Sequence, residues 1–293
     1  MGRTFTFGLV MHSPFSIAFS PCPNDTFMFD GLVNQRLQEN IVVDYTLLDI
    51  EQLNEAALEG RYDFTKLSMG VYPLVADTYQ ITSAGCALGY KCGPILIAKP
   101  GMDLHALNDL PVAIPGMHTT ANLYMGILFP QLTNKKEYLF SEIENAVLKG
   151  EVAAGLIIHE NRFTYAAKGM ISLADLGTEW EKRTGLPVPL GCIAVKRSLP
   201  EKSKRLLQSA LHKSIELAFA NPSLSEEFVA FHSQELSHEV QQQHIALYVN
   251  NFSLNLGEEG EKAIRYLFRE GAKLGLLPDM KDSIFLNDSL HVA

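Results

Sequence analysis

The sequence predicts an α/β protein of two lobes, and three observations carry that expectation. Short apolar runs that end in polar turns alternate with amphipathic helical stretches, the pattern of parallel strands covered by helices. The alternation restarts after Lys99-Pro100-Gly101, so a second unit begins there. With 293 residues, 47% of them hydrophobic, the chain is long enough to fill two cores of ordinary size.

Composition narrows the partners. The net charge is -9, with only 24 Lys+Arg and no basic run, so nucleic acid is not an expected partner. No apolar stretch approaches the roughly 18 to 20 residues that span a bilayer, so a membrane is not one either. Near the start, Arg3, the apolar run Phe5 to Met11 and Cys22 have the outline of a lipoprotein signal. The run is short, broken by Thr6 and Gly8, and Pro21 stands before Cys22 where a small residue belongs. Residues 1 to about 14 are therefore expected to be a loose extension, with Met11 an alternative start, and the protein is expected in the cytoplasm. Cys22, Cys86, Cys92 and Cys192 form no C-x-x-C pair and no zinc spacing, so no metal is expected and the thiols read as reduced. Cys22 as a nucleophile is the sharper reading, but no base is recognisable beside it in the sequence.

In chain order, Ser16 to Phe19 reads as the first strand, and Ser20-Pro-Cys-Pro-Asn-Asp25 breaks it before a helix from about Thr26 to Leu37. Strand, polar turn and helix place Ser20 and Asn24 over the carboxyl edge of a sheet, where ligands bind; an N-cap role for Asn24 or Asp25 is the plainer alternative. Val42 to Leu48 is the second strand, followed by a helix from Glu51 to Leu58 that Gly60 ends. Phe64-Thr-Lys66-Leu67-Ser68 again runs from strand into turn, bringing Lys66 and Ser68 to the edge that holds Ser20. A lysine there can hold a carboxylate, although an exposed lysine is usually only solvated.

Tyr79 to Ser83 and Gly93 to Ala98 read as strands separated by a glycine-punctuated turn. Leu110 to Ile114 is a strand, Pro115 to His118 its turn, and Thr119-Thr120 the opening of a helix, where two hydroxyls at a helix N-terminus make an anion site or a simple cap. Ser141-Glu-Ile-Glu144 reads as a capping box for a helix to Lys149. Ala153 to Ile158 is a buried strand that stops at His159, a titratable group at a strand's carboxyl end. A lone histidine there is more often a half-buried strand cap, and either His118 or His159 fits a general base. Leu173 to Leu176 is a short strand, Glu179 begins a helix that ends in a proline-rich rim, and Gly191 to Val195 is an apolar strand. That strand is expected to pair with Gly93 to Ala98 as the two crossings of a hinge. From Pro200 the pattern is helical over 203 to 220, 224 to 231 behind a Ser223-x-x-Glu226 box, 238 to 249 and 258 to 274. Leu207, Leu211, Ile215 and Phe219 share one face and are expected in the core. His232, His238 and His244 match no ligand spacing and are expected at the surface.

The whole reads as a discontinuous large lobe, residues 1 to 98 plus 196 to 293, with a small lobe of residues 99 to 195 inserted. Two crossings and a cleft are the layout of type II periplasmic-binding-protein domains, which close around a small ligand.

Five ordered motifs are more specific: Ser20-Pro-Cys-Pro-Asn-Asp-Thr26, Thr65-Lys-Leu-Ser68, Pro115-Gly-Met-His-Thr-Thr-Ala121, Gly155-Leu-Ile-Ile-His-Glu-Asn-Arg-Phe-Thr-Tyr165 and Arg183-Thr-Gly-Leu-Pro-Val-Pro-Leu-Gly191. Together, from about Ser16 to about Leu277, they closely resemble the 1,4-dihydroxy-6-naphthoate synthase family, which acts on cyclic dehypoxanthine futalosine in the futalosine route to menaquinone. The resemblance implies that His159 is the proton acceptor and that Lys66, Leu67, Ser68, Thr119 and Thr120 contact the substrate. The family often has Arg where Met117 stands, a departure here. The chemistry implied is proton abstraction beside a carbonyl, ring opening and loss of a sugar-derived fragment, with no cofactor. Consistent with that, the chain carries no P-loop and no G-x-G-x-x-G. The expected partner is a small carboxylated substrate. The competing readings are a non-catalytic organic-acid binder with the same cleft and, with no basic helix-turn-helix segment to support it, a ligand-sensing transcriptional regulator.

Overall fold

The computed structural model describes residues 14–38, 41–159, 161–233, 237–280 and 283–286. The expectation for the first residues falls almost wholly outside these, as does Glu160 of the fourth motif. Two mixed sheets organise the chain. The strands are β1 (Phe15–Phe19), β2 (Val43–Leu47), β3 (Phe64–Ser68), β4 (Tyr79–Ile81), β5 (Ala87–Gly89), β6 (Ile95–Ala98), β7 (Val112–Ile114), β8 (Lys135–Glu137), β9 (Ala154–Ile157), β10 (Ile171–Asp175) and β11 (Val188–Lys196). The first sheet runs β2-β1-β3-β11-β4, with β5 also on β11, and the second runs β10-β6-β9-β7-β8. The α-helices are α1 (Pro23–Val33), α2 (Ile50–Leu58), α3 (Tyr72–Val75), α4 (Thr120–Leu128), α5 (Ile143–Lys149), α6 (Asn161–Thr164), α7 (Leu176–Thr184), α8 (Glu201–Ala220), α9 (Glu226–His232), α10 (His238–Tyr248), α11 (Asn251–Leu254) and α12 (Gly257–Lys273).

The α/β class stands, and several local expectations are corrected. The two glycine-initiated strands do not pair. β6 lies between β9 and β10 in the second sheet, and β11 runs antiparallel to β3, β4 and β5 in the first. Each crossing strand thus belongs to the sheet toward which the chain is heading. Strands β5 and β8 occupy stretches where no strand was expected. Neither expected capping box at Ser141 or Ser223 forms, because a 3-10 turn over 140–142 or 222–224 carries the chain into the helix, and the residues at both caps make no side-chain cap. Helix α1 starts three residues early, with Pro23 at its first position, where a missing N–H costs nothing.

Alternation along the strands sorts their side chains between two faces. In β11, Ile193 and Val195 join Ile17, Phe19 and Phe64 beneath α1 and α8, while Cys192 and Ala194 face the larger cluster. That cluster runs from the first sheet through Tyr124, Trp180 and Phe268 of α4, α7 and α12 to Leu96 and Leu156 of the second. A third cluster packs α5 on the outer face of β7 and β9. Leu207, Leu211 and Ile215 of α8 are buried as expected, but Phe219 is 39% exposed, because it lies in the helix's last turn with only an edge contact to Phe27.

Candidate active site

A cavity lies where the carboxyl ends of β3, β7 and β9 and the start of α1 converge, enclosing about 590 Å³ of space, part of it open to solvent. Asn24, Lys66, Ser68, Thr119, Thr120 and His159 all line it, and the remaining wall is mainly apolar, with Ile50, Pro94, Leu190 and Tyr248 among its members. An apolar pocket with a few convergent polar groups is the usual form of a small-molecule site.

His159 follows β9 with φ 56°, one of three non-glycine residues in the left-handed region among those described. Such a backbone costs about 1–3 kcal/mol and clusters at functional sites. The turn breaks the strand's alternation of side chains between the two faces of the sheet just past the end of β9. The ring packs edge-on against Phe140 at 5.1 Å and parallel to His244 at 6.1 Å. Its Nδ1 lies 3.6 Å from Cys22 Sγ. Its Nε2 is out of contact with solvent and has no hydrogen-bond partner among the described residues. Burial pulls the imidazole down to about 4; the Asp25 carboxylate opposes this and the Lys66 ammonium adds to it. The ring is therefore neutral near pH 7, the form in which it accepts a proton.

Beside the ring runs a chain of charge. Lys66, only 5% exposed, donates to Asp25 Oδ1 at 2.5 Å. The same oxygen accepts from Asn24 Nδ2 at 2.8 Å, and Oδ2 accepts from Ser20 Oγ at 2.7 Å. Asn24 Oδ1 accepts from His244 Nε2 at 2.9 Å, so that nitrogen carries its hydrogen. Burial, with His159 and Lys66 adding to it, holds His244 well below the ordinary histidine value. A buried ion pair is stable only when its remaining donors and acceptors are met, and this one is tied in on several sides.

Elements around the two sheets meet at the start of α4. Thr119 Oγ1 donates to Gly116 O at 2.7 Å and accepts from Asn122 N, capping the helix. Thr120 Oγ1 donates to Leu190 O of β11 and accepts from Gly70 N at 3.2 Å. Gly70 is required there, since a Cβ would come within 2.8 Å of Thr119 O. Both hydroxyl hydrogens are thus committed, and the backbone N–H groups of Thr120 and Ala121, two residues that line the cavity, take no acceptor among the described residues. Ser68 exchanges two hydrogen bonds with Asn54, whose amide also donates to Glu51. Glu51 in turn accepts from His118 N at 2.9 Å, and burial keeps its carboxyl above the usual range.

Several expected residues take other places. Leu67, on the opposite face of β3 from Lys66 and Ser68, is buried in the large core and does not line the cavity. Ser20 faces an adjoining cavity that shares Ile50 and His159. His118 and Met117 do not line the main cavity. Three participants were misread or passed over. His244 is fully buried rather than at the surface, Asp25 is the lysine's counterion rather than only a helix cap, and Cys22 does have a base beside it, His159. The partners of Cys22 and His244 lie 137 and 220 residues away in sequence, beyond the reach of any local pattern.

A family model described as menaquinone biosynthesis matches residues 15–273, almost the whole described chain. The chain belongs to this family. Similar curated proteins are the 1,4-dihydroxy-6-naphtoate synthase of Thermus thermophilus, 44% identical over 92% of this chain and 98% of that one, and its namesake from Streptomyces coelicolor, 41% identical over 89% and 94%. Among solved structures, protein AF1704 from Archaeoglobus fulgidus superposes with a TM-score of 0.86 at 32% identity, covering 90% of this chain and 98% of that one. The alkanesulfonate-binding protein SsuA from Xanthomonas axonopodis pv. citri gives a TM-score of 0.69 at 14% identity over 92% and 95%. That second likeness shows the family's fold, periplasmic-binding-protein-like with two sheets around a cleft, and nothing of its chemistry.

Proposed function

We propose that this chain is a 1,4-dihydroxy-6-naphthoate synthase, converting cyclic dehypoxanthine futalosine to the dihydroxynaphthoate with His159 as general base. The observation that carries the reading is the bare, buried Nε2 of a neutral His159 in the cavity shared with Lys66, Thr119 and Thr120. His159 Nε2 takes a proton from a carbon beside a carbonyl, and the electron pair stays on the substrate as an enolate. The backbone N–H groups of Thr120 and Ala121, at the positive end of α4, meet the developing oxyanion. Lys66 gives one of its three N–H groups to Asp25 and has others for a substrate carboxylate. Ring opening and loss of the sugar-derived fragment follow from the enolate, and aromatisation drives them. The apolar wall suits the naphthalene skeleton, and the two sheet-centred lobes, between which the chain passes ahead of β6 and again ahead of β11, close over it.

Cellular placement follows from similar reasoning. Among the described residues no helix is long and apolar enough to cross a membrane, and none of the four cysteines forms a disulfide, which suits a reducing cytoplasm.

The test is to incubate the purified protein with the cyclic futalosine-derived compound and follow dihydroxynaphthoate by mass. Turnover is expected in the wild type and is lost in His159→Gln while the compound still binds. Binding without turnover in the wild type would leave a solute-binding protein on the same fold and sink the enzymatic reading.

A further inference from the structure

We infer that Cys22 is a positioning residue for His159: its sulfur accepts the Nδ1 hydrogen and so leaves the lone pair on Nε2. The inference rests on the proposed role of His159 as base.

A neutral imidazole carries one N–H and one lone pair, and which nitrogen holds the hydrogen is set by what the other nitrogens and acceptors nearby can satisfy. With the hydrogen on Nε2, a buried donor would point at no acceptor among the described residues and the base would have no lone pair to use. With it on Nδ1, the hydrogen meets Cys22 Sγ, 3.6 Å from the nitrogen, an ordinary separation for N–H to sulfur.

Both partners are held rigidly. Cys22 stands between Pro21 and Pro23 at the start of α1, and its carbonyl accepts from Asp25 N and Thr26 N. The thiol does not cap the helix. The imidazole is fixed by its left-handed backbone, by Phe140 and by the parallel ring of His244. A second cavity, lined by Ser20, Cys22, Phe140, Ser141 and His159, adjoins the pair, so the Cys22 contact is not simply the outcome of close packing all round.

Sulfur is also the acceptor that suits the task. A carboxylate in its place would fix the same tautomer but would hold the imidazolium strongly and raise its affinity for protons. The weak thiol acceptor fixes the hydrogen and leaves basicity to the surroundings. Those surroundings contain Asp25 and Lys66 as charged groups and His244 as a second neutral ring.

The test combines spectroscopy with kinetics on the full chain. In protein labelled with ¹⁵N histidine, His159 is expected to show a protonated Nδ1 and an unprotonated Nε2. Cys22→Ala is expected to populate the Nε2-protonated form and to lower kcat by about 10- to 100-fold, the range usual for losing a group that orients a functional histidine, with KM changed less than about threefold. Cys22→Ser, whose oxygen also accepts, is expected to restore the Nδ1-protonated form and most of the rate. A merely space-filling role would leave the tautomer unmoved and would not be rescued selectively by serine. A wild-type ring protonated at Nε2, or a Cys22→Ala protein with native tautomer and native kcat, overturns the inference. If the alanine variant does not fold, the wild-type and serine spectra decide. Retained turnover in His159→Gln would instead remove the underlying reading of the base, whatever the tautomer of the ring.

Discussion

The two walls of the cavity hold their polar groups in opposite ways. On the Lys66 side, ammonium, carboxylate, amide and imidazole are linked in one buried chain, Lys66 to Asp25 to Asn24 to His244, on regular backbone. On the His159 side a single ring sits on a left-handed turn, touches one sulfur, and presents a nitrogen with no partner. Charge survives burial on the first wall because it is paired. On the second the group is neutral and its lone pair is unspent, as the proposed base requires. Under the proposed function the difference separates binding from chemistry within one pocket, and substitutions on each side are expected to fail in different ways.

The largest effect is expected from His159→Gln, which should lower kcat by about 10² to 10⁴ with KM changed only a few-fold, since a general base acts in the transition state. Steady-state kinetics check this, and a change confined to KM would move His159 to the binding wall. Asp25→Ala should instead act on stability, by about 3–5 kcal/mol, because it leaves the Lys66 ammonium buried and alone. Urea titration reads that loss. Replacing both residues together, Asp25→Ala with Lys66→Met, should recover much of it, and a double variant no more stable than the single one would mean that the pairing is not what holds this wall.

Acid should weaken the molecule through the two rings. His159, held at about 4, and His244, held well below 6.5, refuse protons that the unfolded chain accepts. Their contribution is therefore complete above pH 6.5 and falls away as the pH drops from there toward 4. Thermal melts across that range test it, and His244→Gln should flatten part of the slope. For the same reason the acid limb of kcat/KM should lie nearer pH 4 than the ordinary histidine value of 6.5. A limb at 6.5 would show the base to be better solvated than its setting implies. Thr119→Ala should cost about 1 kcal/mol by removing the cap of α4. Of similar size, His159→Gly should be more stable than His159→Ala by about 1 kcal/mol, since only glycine accepts the left-handed turn without penalty.

Much of this site is legible in the sequence because the apolar runs stop where the cavity begins. Ser68 and His159 close strands or follow them at once, and Thr119 caps the helix it was expected to open. What the sequence hides are pairings made only by folding. His244 sits in the middle of α10, where nothing local marks it as the neighbour of Asn24. The partners of β6 and β11 are likewise chosen by the sheets they join, not by their matching starts. The failed capping boxes make a related point at short range, since the right residues at the right spacing were overridden by one preceding 3-10 turn.

One contact reaches beyond the pocket itself. The Thr120 hydroxyl bridges Gly70 and Leu190, and nearby Glu51 grips the amide of His118, so two fasteners join the rims of the cleft close to each other. Gly70, Leu190 and Glu51 lie on the side of the first sheet, and Thr120 and His118 on the side of the second, so both contacts cross from one side to the other. Separating the two sheets therefore requires the Thr120 and Glu51 contacts to be given up together, which ties the geometry of the pocket to these few polar links.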